Sequence, residues 1–139
     1  MRSLASAVFG AVLALAAAAA MADPGRDAIL AALVTMAKQA EPGFAGFSVA
    51  RGETFWAATH TGGKPDTPSC TTCHTNDPTK AGQTRAGKAI EPMAVSVNPK
   101  RFTDAETVTK WFTRNCNSVL GRACTAAEQG DVLSYLSSK

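Results

Sequence analysis

Cys70-Thr71-Thr72-Cys73-His74 constrains this chain more than any other stretch. Two thiols three positions apart, followed at once by an imidazole, form the C-x-x-C-H pattern through which a protein attaches haem c. Each thiol can add across one vinyl group of the porphyrin, and His74 is then delivered to the iron as proximal ligand. A chain built this way folds around one large apolar plate. The reactivity belongs to the cofactor, and the protein tunes it through the second axial ligand and the pocket. C-x-x-C also serves as a redox pair or as half of a zinc site. A thioredoxin-like pair expects a neighbouring βαβ pattern, which the sequence lacks, and the remaining Cys and His are too few for a zinc cage.

Residues 1–22 have the layout of a secretory leader. Arg2 supplies the positive end, Leu4 to Ala20 is an unbroken apolar or small-residue run, and Ala20-Met21-Ala22 is an A-x-A cleavage site. An uncleaved anchor is the alternative, but the run is alanine-rich and shorter than the ~20 strongly apolar residues a span requires. The expected product is a periplasmic protein, not membrane-spanning after processing, with one domain over 23–139. Without Arg2, 13 of the 14 Lys and Arg face 11 Asp and Glu, a formal +2. The basic residues are scattered, which gives no support for nucleic-acid binding. Export also bears on Cys116 and Cys124, since two spare thiols in an oxidising compartment most often pair. A bridge closing so short a loop stabilises by about 2–3 kcal/mol. The rival, a metal site with His60, again lacks ligands.

Four helical stretches are expected, joined by loops rich in Gly, Pro and Thr. The first covers about 26–39, with Ile29, Leu30, Leu33, Val34 and Met36 on its apolar face, and ends before Glu41-Pro42-Gly43. The second covers about 46–58 and places Val49, Gly52 and Trp56 together. Thr61–Ser69 is a loop feeding the haem motif, and 75–99 is a long loop that would wrap the haem edge. Thr103 with Glu106, and Thr125 with Glu128, read as capping boxes that start the third and fourth helices. The fold class is all-α, a single domain around one haem, with its terminal helices crossing. Gly52 would suit that crossing.

The sixth ligand decides what the iron does. Met93 lies nineteen residues past His74, within reach of an extended chain, although no helix steers it over the far face. Met36 reads as core, His60 as a solvent-facing loop residue and Lys110 as a solvated helix position. Trp111, Phe112 and Asn115 share the third helix. At ~100° per residue Asn115 lies about 40° round from Trp111, and Asn117 on roughly the opposite side. If Trp111 and Phe112 line the distal pocket, Asn115 points the same way. An Asn near a helix end is also an ordinary cap.

The segments TGGKPDTPSCTTCH (61–74), AGQTRAGK (81–88), RFTD (101–104) and RNCNSVLGRACT (114–125) together resemble the SHP family, named for sphaeroides haem protein. The resemblance spans about 61–125, and it departs at Thr75, where a Gly often follows the motif. It implies a class I-like cytochrome c fold with one covalent, high-spin haem c. It places thioethers on Cys70 and Cys73, the proximal ligand on His74, the distal ligand on Asn115 and a disulfide between Cys116 and Cys124. It also implies electron delivery from another cytochrome, a dihaem cytochrome c.

An amide oxygen is a hard, uncharged donor that holds ferric iron better than ferrous. Reduction would therefore free Asn115 and open the site to O₂ or NO. Arg85, Lys88 and Arg101 are candidate propionate partners. Two other functions stay open: a low-spin electron carrier ligated by Met93 or His60, and an enzyme oxidising NO to nitrate or activating peroxide. No general-base His is assignable near the distal face, which weighs against peroxidase chemistry.

Overall fold

Asp23 starts the first helix. Its carboxylate accepts from the N–H groups of Gly25 (2.9 Å) and Arg26 (3.1 Å), and Pro24 fills a first-turn position that needs no donor. The computed structural model describes residues 22–139, so the expected leader lies outside the described residues apart from Ala22. Helix α1 (Pro24–Ala40) buries Arg26, Ile29, Leu33 and Ala37 along one stripe. Met36, expected in the core, is exposed instead. It stands ~100° round the helix from Ala37, off that stripe.

Helix α2 (Val49–Ala57) is capped by Ser48, and α3 (Thr71–His74) is a single turn. The long loop after it holds two strands absent from the sequence expectation. β1 (Gly82–Gln83) and β2 (Ala89–Ile90) pair antiparallel, Gly82 opposite Ile90. Further on, Ala94 and Val95 are fully buried, and Val95 N–H donates to the carbonyl of Leu136 (3.1 Å). This loop therefore fastens to the protein core.

Helices α4 (Ala105–Leu120) and α5 (Ala126–Ser137) follow. The Thr125–Glu128 capping box is present. The expected box on Thr103 is not. Asp104 is the cap, its carboxylate accepting from Thr107 N–H at 2.7 Å, while Thr103 Oγ1 donates to the carbonyl of Lys100. Asp is as good a cap as Thr, and with this frame Glu106 sits in the first turn, where the helix dipole favours negative charge.

Helix α5 is the centre of the fold and packs against both α1 and α2. Two clusters flank it: Ile29, Leu33, Val108 and Leu133 on one side, and Trp56, Val132, Tyr135 and Leu136 on the other. Phe102 and Phe112 pack against both. The terminal helices meet as expected, but Gly52 serves the α2–α5 contact. A Cβ there would overlap the carbonyl of Asp131.

Asp131 is 6% exposed and holds α2 in place. It accepts from Ser48 N–H (2.7 Å) and from Arg51 Nε (2.7 Å) and Nη2 (2.8 Å). Arg51 is largely exposed, so solvent screens the ion pair and it adds little to stability. The Ser48 N–H is half-buried and has Asp131 as its partner. Asp131→Ala is therefore expected to cost about 2–3 kcal/mol, the penalty of stranding a donor and losing its companions; urea unfolding of the holoprotein measures it.

Candidate haem-attachment site

The motif is presented by one tight turn. Cys70 closes it through its carbonyl, which accepts from His74 N–H (3.1 Å) and Cys73 N–H (3.3 Å). Ser69 is buried, accepts from Thr71 N–H (3.2 Å) and donates to the carbonyl of Trp56 (3.2 Å), tying the turn to α2. Trp56, 3% exposed, places its ring 5.4 Å from that of His74 and donates Nε1–H to the carbonyl of Thr75 (3.2 Å). Thr75 itself adopts φ +65°, a region that favours glycine. Its Oγ1–H bond to the carbonyl of Asp77 (2.7 Å) helps hold that conformation. The Gly expected after the motif thus has a backbone reason.

Both motif thiols are unpaired and half-buried. Burial pushes the Cys70 thiol up to about 11, the reverse of the lowered thiol that a redox-active C-x-x-C carries. Burial first, and the charge of Arg101 second, push His74 down to about 4. The imidazole is neutral at physiological pH, as a metal ligand must be. Its Nδ1 is buried without a hydrogen-bond partner. Two free thiols, a neutral imidazole backed by an indole, and an orphaned ring nitrogen fit covalent haem c. They do not fit a zinc cage, because Cys116 and Cys124 are joined to each other and supply no ligand.

That disulfide spans 5.6 Å between Cα atoms and links α4 to the start of α5. On α4, Trp111 is half-exposed with the Arg114 guanidinium 5.4 Å from its ring centre, and Asn115 is exposed beside it. Phe112 turns inward, against both core clusters. Lys110 is exposed. Met93 packs against the cluster containing Trp56, the residue that backs His74. His60, expected to face solvent, is half-buried, its Nε2 3.1 Å from the Phe55 carbonyl and its ring against Phe55. A histidine between Thr59 and Thr61 carries no sequence mark of that contact.

Of the basic candidates, Arg85 pairs with Asp66 at 2.6 Å, and the Lys88 side chain is exposed. Arg101 donates Nε–H to the carbonyl of Pro92 (3.0 Å) and Nη2–H to that of Glu91 (2.7 Å). Sequence reasoning missed the buried Arg26, whose guanidinium donates to the carbonyls of Pro99 (2.7 Å) and Arg101 (2.9 Å).

Residues 42–136 match a family described as "Domain of unknown function (DUF1924)". The chain is 58% identical over 89 residues to the cytochrome c-type protein SHP of Cereibacter sphaeroides, covering 64% of this chain and 69% of that protein. It belongs to the SHP and cytochrome c'' family. The cytochrome c'' of Methylophilus methylotrophus is 34% identical over 132 residues, 94% of this chain and 90% of its own. The structure of oxidized SHP, an oxygen-binding cytochrome c, matches with TM-score 0.76 and 48% identity over 82% of this chain and 96% of that one. A solution structure of the Methylophilus protein, concerned with haem-ligand detachment, matches with TM-score 0.70 and 32% identity over 82% and 93%. The fold is thus the all-α, class I-like cytochrome c fold, and the cofactor of this family is haem c. The chain is an electron-carrying c-type cytochrome. Among the described residues no helix is long and apolar enough to cross a membrane.

Proposed function

We propose that this cytochrome is exported to the periplasm, carries one haem c on Cys70 and Cys73, and binds small diatomic ligands once reduced. His74 is the proximal ligand and Asn115 the distal ligand of the oxidised protein. Haem c, when bound, supplies an iron that takes up an electron and a small gas molecule. The observation that carries the reading is the distribution of possible sixth ligands. Met93 is packed against the Trp56 cluster and His60 is engaged with Phe55, whereas Asn115 is exposed one turn past Trp111. The oxygen binding of SHP and the ligand detachment studied in cytochrome c'' support it.

Asn115 holds the oxidised site through its carboxamide oxygen and leaves on reduction, because a hard neutral donor loses affinity as the metal charge falls. Once free, its NH₂ group donates a hydrogen bond to an incoming O₂ or NO. Trp111 limits water at the same opening. A dihaem cytochrome c is the proposed electron donor, and Arg101, Lys88 and Arg85 the proposed neighbours of the propionates.

Asn115→Leu tests this. The ferric absorption spectrum is expected to lose its sixth-ligand signature while far-UV circular dichroism stays unchanged, and the ferrous protein should still take up NO. An identical ferric spectrum in the variant, or a low-spin ferrous wild type indifferent to NO, would instead favour the plain carrier.

A further inference from the structure

The loop that delivers Cys70 is fastened directly to the end of α4. Ser118, near the last turn of that helix, has a main-chain carbonyl with no intrahelical partner to expect, as helix ends leave their final carbonyls orphaned. Here it accepts from Lys64 N–H (2.7 Å) and from Thr67 Oγ1–H (3.2 Å). The Ser118 hydroxyl lies 2.8 Å from Thr67 Oγ1. Thr67 is 8% exposed, so water cannot readily replace these bonds. Gly62 and Gly63 make the approach possible: a Cβ on either would overlap the carbonyls of Leu120 and Ser118 respectively.

The fastening joins two short paths. Thr67 is three residues before Cys70, and Ser118 is one helical turn past Asn115, about 4.5 Å along the axis. On its other side the same turn is held by the Cys116–Cys124 disulfide. Of the two restraints, the disulfide is covalent and the Thr67–Ser118 clasp is the one that can yield. Groups outside a metal's ligands commonly set its affinity by fixing where those ligands stand.

We infer that Thr67 is a positioning residue that, through Ser118, sets how firmly Asn115 holds the oxidised site. The inference rests on the reading of Asn115 as distal ligand. It makes the clasp an adjustable determinant of how readily the oxidised protein accepts an outside ligand, with no contact between Thr67 and that ligand.

The test uses the holoprotein and titrates imidazole into the ferric form and CO into the ferrous form. Thr67→Val keeps shape and removes both hydroxyl bonds. It is expected to tighten ferric imidazole binding by about threefold to tenfold, the scale of a lost internal hydrogen bond when part of the clasp, the Lys64 N–H bond to the same carbonyl, remains. Ferrous CO affinity should stay within about twofold, since Asn115 is already off that form. Thr67→Ser should restore the wild-type value. Ser118→Ala, which keeps the carbonyl and removes only its hydroxyl, should shift ferric binding in the same direction by less.

In an Asn115→Leu background, Thr67→Val should change nothing further. Equal shifts in both oxidation states, or a shift that persists without Asn115, would overturn the inference in favour of general loosening. An unchanged ferric affinity in Thr67→Val would also overturn it, leaving the role of Asn115 intact. If Asn115→Leu alone leaves the ferric spectrum unaltered, the ligand assignment falls and this inference with it.

Discussion

Cys70→Ser combined with Cys73→Ser yields a chain that keeps no haem after acid–acetone extraction or on a denaturing gel. Thioether bonds resist both treatments, whereas one imidazole–iron bond does not, because protonation of His74 competes with the metal. Either single variant keeps one bond and stains at reduced intensity. The double variant also unfolds more easily. The expected mature chain has 117 residues and correspondingly little core. Its larger buried side chains fall into two small clusters. A covalently held porphyrin would add apolar area to so thin a core, and its loss would withdraw that area. Haem staining and thermal unfolding, followed side by side, check both halves of the expectation.

Gly52→Ala is expected to be the most damaging single methyl that can be added to the core. The new Cβ meets the main-chain carbonyl of Asp131 and the Cβ of Tyr135. Neither belongs to a flexible side-chain end, so α2 and α5 must separate. Greater helix propensity returns about 1 kcal/mol, and overpacking against backbone costs more, for a net loss of about 3 kcal/mol. For a domain of this size that lowers Tm by ~10 °C. Gly43→Ala, with nothing within 4 Å of its added carbon, is the neutral control. Because Trp56 stands one turn beyond Gly52 and against His74, the same variant should perturb the haem spectrum. An unshifted Tm would refute the reading of this crossing.

Local signals in the sequence carried well. The thiol-thiol-imidazole triplet, the Thr125–Glu128 box and the helical apolar stripes each depend on residues within one or two turns, so they survive any tertiary arrangement. Signals shared by neighbouring residues blurred: Thr103 and Asp104 are both good caps, and only the observed hydrogen bond separates them. Arg26 and Asp131 were illegible for a different reason. A lone charge in a helical pattern reads as solvated, and what buries these two arrives from 75 and 80 residues away. Trp56 was legible as a packing residue and silent as the neighbour of His74. The Thr67–Ser118 contact has no sequence mark, since hydroxyls are common in loops.

Arg26 leaves a lasting consequence. It lies before residue 42, outside the segment that matches the family, yet it supplies donors to the carbonyls of Pro99 and Arg101. Arg101 in turn grips the carbonyls of Glu91 and Pro92, and its charge reaches His74. Two guanidinium groups thus form a relay from the first helix to the His74 imidazole. A truncated version beginning at the family boundary would be more than shorter: its middle loops would lose their tether, and the electrostatic setting of the proximal side would drift with them.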